Sequence, residues 1–180
     1  NQIGIIGTGY WGTNIINVLY KIGCKNIYCL ENNVKNLKEI KKKFPKIFVY
    51  EKLNEFLKNK YDGILIATNT KSHYQIARAC LEKGNNIFVE KPVTNDSSKL
   101  IKLINLSKVK KKFIMSGYIY YYNQHIKYIK KILNKNGLGK VLYVSFERLN
   151  LGPVRNDISS TWDLSSRDIS ICNYFFKKQL

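Results

Sequence analysis

At 180 residues, 44% apolar and 24% charged, the chain has an ordinary globular composition, enough for one full domain and part of a second. The net charge of +19 raises a nucleic-acid reading, but only four of the 31 basic residues are Arg (Arg78, Arg148, Arg155, Arg167), and the lysines sit among abundant Asn, Ile and Tyr. That profile fits AT-rich codon usage, so we expect no nucleic-acid partner, only a positive field that favours anionic ligands; and no stretch approaches the roughly 18 apolar residues of a membrane span.

Six short apolar runs alternate with helix-patterned segments as far as Gly117. The runs are Ile3–Ile6, Ile27–Leu30, Ile47–Tyr50, Gly63–Ala67, Ile87–Glu90 and Phe113–Gly117. Between them, apolar residues recur at helical spacing over Trp11–Ile22, Val34–Lys43, Leu53–Lys58, Ser72–Lys83 and Asp96–Lys108. Alternation of this kind predicts βαβ units and a parallel sheet. Several runs are apolar without a break, as strands are when helices cover both faces. Gly23 and Gly84 stand where helices should stop, and Asn95 and Asp96 where one should start.

Past Gly117 the pattern changes. Tyr118 to Asn123 is an aromatic cluster, a helix is predicted from about Gln124 to Asn134, and Asn136 to Gly139 reads as a turn. Val141–Arg148 alternates like a half-solvated strand with no partner in the remaining sequence, which predicts an incomplete core beyond about residue 136. We therefore expect an α/β domain over residues 1–117 and the opening of an α+β sheet domain over 118–180. The start at Asn1 and the stop after the apolar run Ile169–Phe176 suggest a fragment. Cys29, Cys80 and Cys172 lie in apolar segments, and none of the four cysteines has CxxC spacing. That favours reduced thiols, a cytoplasmic setting and no metal.

The first chemical motif is Gly7-Thr8-Gly9-Tyr10-Trp11-Gly12, a G-x-G-x-x-G run between a predicted strand and a predicted helix. Glu31 follows 19 residues beyond Gly12, at the end of the next strand. This is the context of a dinucleotide-binding Rossmann fingerprint. Gly7 allows the tight turn, Gly9 the approach of a pyrophosphate, and Gly12 close helix–strand packing, with the helix N-terminus facing the phosphates. Glu31 would accept from the adenosine ribose and repel a 2′-phosphate, which favours NAD over NADP. Glu90-Lys91-Pro92 closes the fifth run, where open α/β sheets bind ligands. From the residues alone it reads equally as a ligand-facing Lys or as an ordinary strand end whose Pro92 peptide is cis or trans.

In order along the chain, Gly7–Gly12, Ala67-Thr68-Asn69-Thr70 with His73, Phe88–Pro92 and Gly117–Asn123 resemble the glucose–fructose oxidoreductase / inositol dehydrogenase / MocA family. Asn150–Arg155 and Thr161-Trp162-Asp163-Leu164 resemble its nucleotide-sugar branch. The resemblance implies a doubly wound Rossmann domain, NAD, and hydride transfer to or from a secondary alcohol of a sugar, with copies pairing in the longer protein. It places Thr68, Asn69, Thr70 and His73 at the nicotinamide-side ribose, and Glu90 and Lys91 at the nicotinamide, Lys91 also bonding the sugar hydroxyl. Tyr118, Tyr122 and Asn123 would line the substrate side, and Arg155, Trp162 and Asp163 would meet sugar or cofactor groups. The family's last motif sets a His four residues after an Asp. Here Asp163 is followed by Arg167, whose guanidinium stays protonated and cannot serve as a base. This leaves a catalytically impaired binding relative as the alternative. Asn69 and Tyr118 also depart from the family's usual Pro and His.

Overall fold

A computed structural model of the chain describes residues 1–135, 137–149, 159 and 161–176. It divides into two compact units, Asn1–Gly117 and Tyr118–Leu180.

The first unit is built on six strands: β1 (Gln2–Ile6), β2 (Asn26–Leu30), β3 (Phe48–Tyr50), β4 (Gly63–Ile66), β5 (Ile87–Val89) and β6 (Ile114–Ser116). All pairings are parallel, in the order β3-β2-β1-β4-β5-β6. The helices between them are α1 (Tyr10–Lys21), α2 (Val34–Lys43), α3 (Leu53–Phe56), α4 (Thr70–Glu82) and α5 (Ser97–Lys110). This is the doubly wound Rossmann arrangement, whose winding reverses between β1 and β4.

The unbroken apolar runs find their reason in two cores. Successive strand residues point to opposite faces. Ile5 and Cys29 enter a cluster with Ile16 of α1 and Ile40 of α2, while Ile6 and Leu30 enter a second with Phe56, Ala77, Leu81 and Leu103. Both faces are dry, so alternation has nothing to record. Burying one such Ile or Leu side chain contributes about 1.5–3 kcal/mol.

Helix starts separate one end from the rest. Asn33, Asn69 and Asp96 cap α2, α4 and α5 by accepting from backbone N–H groups of the first turn. The N-cap of α1 is Gly9, which has no side chain to do so. Its first N–H groups, with the positive end of the helix dipole, are left to the solvent side of the sheet's C-terminal edge.

The second unit contains a 3₁₀ turn (Ile119–Tyr122), α6 (Gln124–Asn134), a π-helical turn (Thr161–Ser165) and α7 (Ser166–Phe176). The strand expected over Val141–Arg148 is not formed. A strand needs a ladder partner, and among the described residues none pairs with this stretch. Its last residue is instead anchored by charge. Arg148 Nε donates to both Asp168 carboxylate oxygens, at 3.1 and 3.0 Å, and Nη2 donates to one of them at 2.6 Å. The same guanidinium lies 5.6 Å from the Tyr120 ring centroid.

Candidate functional site

The Gly-rich turn sits where β1 hands over to α1, at the reversal point of the sheet. Gly7 adopts φ +89°, a left-handed conformation that side chains rarely take, and its N–H donates to the Leu30 carbonyl at 2.9 Å. A Cβ on Gly12 would lie 1.9 Å from the Gly7 oxygen. Backbone therefore meets backbone where the helix crosses the turn. A Cβ on Gly9 would meet nothing within 4 Å, so this side of the loop is open. Thr13 ties the turn shut through Oγ1 to the Thr8 carbonyl at 2.9 Å. Tyr10 and Trp11 are exposed at the helix start and pack edge to face, 5.5 Å between centroids.

Glu31 ends the next strand, only 8% exposed. Its Oε2 accepts from Thr8 N (2.8 Å), Thr8 Oγ1 (3.0 Å) and Asn36 Nδ2 (3.2 Å), and its Oε1 accepts from Asn32 N and Asn33 N, both at 2.9 Å. Burial by itself pushes this carboxyl up. The N–H groups of Asn33 and Thr8, the Asn36 amide and the Thr8 hydroxyl outweigh it and hold the group below the usual carboxylate range. A carboxylate depressed in the folded state adds stability that is fully present above the unfolded value, about 4.3, and is lost as pH falls through the lower folded value. Glu31→Gln would turn an N–H₂ toward donors and leave at least one buried group unpaired. We expect it to lower stability by about 1–3 kcal/mol at neutral pH and to flatten the acid limb of the unfolding curve. Urea titrations between neutral and acid pH read both, and an unchanged midpoint would refute the bracing role.

A cavity of about 300 Å³ opens beside Glu31, lined among others by Gly7, Asn32, Glu51, Leu53, Thr68 and Asn69. Thr68 and Asn69 border the same space as Glu31, because β4 flanks β1 on the side opposite β2 and both following loops bracket the turn. Asn69 Oδ1 is engaged by Ser72 N at 3.2 Å as the α4 cap, and Thr70 is buried. His73 is also buried, with both ring nitrogens against backbone carbonyls, so it has no atom for a ligand. Glu51 and Leu53 escaped the motif search. Their signal was position alone, at the end of β3 and the start of α3.

At the end of β5, Glu90 N donates to the Ile66 carbonyl at 2.9 Å, which continues the ladder one residue past the strand. Its carboxylate takes the room left by Gly117, where a Cβ would come within 2.9 Å of Glu90 Oε2. Lys91 is half-buried, its N–H donates to Glu90 Oε2 at 3.2 Å, and the Lys91–Pro92 peptide is cis.

In the second unit, Tyr118 is half-buried, and burial, then the neighbouring Tyr121, pushes its phenol up. Tyr122 is exposed, with Lys127 Nζ 6.0 Å from its ring centroid. The Asn123 side chain caps α6, accepting from His125 N at 2.9 Å and Ile126 N at 3.2 Å, a local use that the motif did not foretell. Trp162 is exposed. Asp163 N, in the π-helical turn, donates to the Ser159 carbonyl at 2.9 Å. Arg167 is half-buried in the first turn of α7. Arg155 lies outside the described residues. Among the described residues no three of His, Cys, Asp and Glu gather as metal ligands, and no helix is long and apolar enough to cross a membrane.

Comparison with known proteins gives a consistent picture. Residues 1–118 match the Gfo/Idh/MocA model, described as an oxidoreductase family with an NAD-binding Rossmann fold. The myo-inositol 2-dehydrogenase of Thermotoga maritima is 23% identical over 141 residues, 77% of this chain and 42% of that protein. The UDP-N-acetylglucosamine 3-dehydrogenase of Acidithiobacillus ferrooxidans is 27% identical over 111 residues, 61% of this chain and 34% of that protein. GenD2 of gentamicin A biosynthesis, solved in complex with NAD, superposes with a TM-score of 0.81 at 15% identity, covering 97% of this chain and 53% of that one. The matched region thus spans less than half the length of the two dehydrogenases.

Proposed function

The chain belongs to the Gfo/Idh/MocA oxidoreductases, an NAD-binding family, and from that premise we propose that the protein it represents transfers hydride between NAD and a secondary alcohol of a sugar, one carried on a nucleotide. The observation that carries this reading is that Gly7, where the Gly-rich turn begins, and Glu31 line one cavity, with Thr8 of the same turn donating to the Glu31 carboxylate. The residues fit the cofactor. Gly9 leaves room for a pyrophosphate, the uncapped start of α1 offers N–H groups to it, and Glu31, whose oxygens already accept from Thr8, Asn32, Asn33 and Asn36, sets a fixed negative charge beside the adenosine ribose. When bound, NAD supplies the hydride acceptor or donor.

The chain's own residues supply the rest. Lys91, at the mouth of β5, hydrogen-bonds the reacting hydroxyl, with Glu90 behind it. Asp163 takes a hydrogen bond from the sugar, and Arg167 holds a nucleotide phosphate or a sugar carboxylate by its two-pronged geometry. The family resemblance also assigns Tyr118, Tyr122, Trp162 and Arg155 to the substrate. A nucleotide sugar is favoured by the Thr161–Leu164 segment and by the relative named for UDP-N-acetylglucosamine. Free thiols at Cys24, Cys29, Cys80 and Cys172 support a reducing, cytoplasmic setting. The second reading, a relative that binds without turning over, is favoured by Arg167 in place of a base.

Calorimetric titration of the chain with both cofactors tests the core of this. NAD should bind at least about tenfold more tightly than NADP, because the 2′-phosphate would meet the Glu31 carboxylate. Equal or tighter NADP binding refutes the assignment of Glu31.

A further inference from the structure

Two loops reach the proposed cofactor site from the second half of the sheet, Thr68–Asn69 after β4 and Glu90–Pro92 after β5. His73 stands between them on α4, 1% exposed. Its Nδ1 lies 2.8 Å from the Pro92 carbonyl oxygen and its Nε2 lies 3.0 Å from the Thr68 carbonyl oxygen. A carbonyl oxygen only accepts, so the ring must donate, to one of them in either neutral tautomer and to both as the imidazolium. The two contacts differ in kind. Thr68 is five residues away, at the entry to the ring's own helix, whereas Pro92 is 19 residues away on a separate loop. The ring is rooted in α4 and reaches across to the next loop.

Its surroundings make a polar ring costly there. Ala77, Cys80, Leu81, Val89 and Val93 belong to the core on this side of the sheet. Polar nitrogens are costly in such an interior unless they are paired. The ring nitrogen that carries the proton finds its acceptor in one of the two carbonyls, and a tether to Pro92 places that proton on Nδ1. The cavity side of the β4 loop, by contrast, is held without the ring. Ser72 Oγ donates to the Asn69 carbonyl at 2.9 Å and lies 2.8 Å from Thr68 Oγ1, and Asn69 caps the helix.

We infer that His73 is a positioning residue, a tether that holds Pro92, and with it Lys91, against the start of α4. It thereby builds the nicotinamide end of the site and leaves the adenosine end to stand alone. The inference rests on the proposed cofactor reading. In a Rossmann sheet each half serves one mononucleotide, so the two ends can be probed apart.

The test is to titrate the chain and its His73→Phe and His73→Gln variants with ADP and with NAD, alongside thermal melts. Phe keeps an aromatic ring and removes the donor at the cost of a larger volume, which the melts monitor, whereas Gln retains a donor. The Phe variant should bind ADP within about twofold of the native chain and NAD about tenfold or more weakly, and Gln should recover most of that loss. Parallel loss of ADP and NAD, or loss of neither, would overturn the tether and leave a plain core residue. A native chain that binds neither ligand refutes the cofactor reading itself. Where the Phe variant does not fold, trans-hydrogen-bond couplings in the native chain decide. With two histidines to assign, coupling from a His73 ring nitrogen to the Pro92 carbonyl carbon is expected, and its absence overturns the tether.

Discussion

Gly12→Ala is expected to abolish measurable NAD binding and to cost about 3 kcal/mol of stability or more. The added methyl would stand 1.9 Å from the Gly7 oxygen, a backbone atom that cannot rotate aside. Relief requires α1 to lift away from the end of β1, which pulls the first-turn N–H groups off the position a pyrophosphate would occupy. Gly9→Ala is the control, since nothing lies within 4 Å of its Cβ and its φ of −63° suits any residue. That variant should melt within a few degrees of the native chain yet bind NAD more weakly, because its methyl projects into the ligand's approach. Calorimetry and thermal melts on both variants give the comparison. A Gly12→Ala chain that still binds NAD normally would show that this turn is not where the dinucleotide lies.

The second large effect concerns turnover in the whole protein. Removing hydride from a secondary alcohol requires its hydroxyl proton to leave in step, and a positioned base contributes about 10²–10⁴-fold. Lys91→Met keeps the length of the side chain and removes the amine. It should lower kcat by that range while the Kd for NAD moves little. The proposed role of Arg167 is tested on the same reaction. A guanidinium gives up no proton at working pH, so Arg167→His should raise turnover at neutral pH if a base is what the native protein lacks. Nicotinamide absorbance with nucleotide sugars reads both variants. A brisk native enzyme that is slowed by Arg167→His would make Arg167 a working group and remove the impaired reading.

How much of this the sequence displays depends on where each signal comes from. The strands were legible because two-sided burial writes itself as an unbroken run. Ile3–Ile6 marks β1 (Gln2–Ile6) and Ile27–Leu30 marks β2 (Asn26–Leu30) to within a residue. Gly7 and Gly12 were legible because backbone geometry leaves no other residue a place there, whereas Gly9, whose backbone would accept a Cβ, was legible only through the spacing of the motif. Val141–Arg148 misled because alternation reports a preference for extended backbone and carries no information about a partner strand. Thr68 and Asn69 were singled out by the family resemblance, and the cap in which Asn69 accepts from Ser72 N is a local bond that the motif does not display. His73 was singled out by the family resemblance, and the carbonyls that engage it, 5 and 19 residues away, leave no mark in the local sequence.

The five donors around Glu31 reach beyond its choice of ribose. Two belong to Thr8 in the Gly-rich turn, two are N–H groups ahead of α2, and one is the Asn36 amide. A neutral or basic residue at position 31 would admit a 2′-phosphate, and in the same step it would release both the turn and the helix start. Evolution and engineering therefore meet the same obstacle here. A change of cofactor from NAD to NADP cannot pass through position 31 alone, but must first or simultaneously rebuild Thr8 and Asn36, so single-substitution libraries at Glu31 should yield unstable chains before they yield NADP-selective ones.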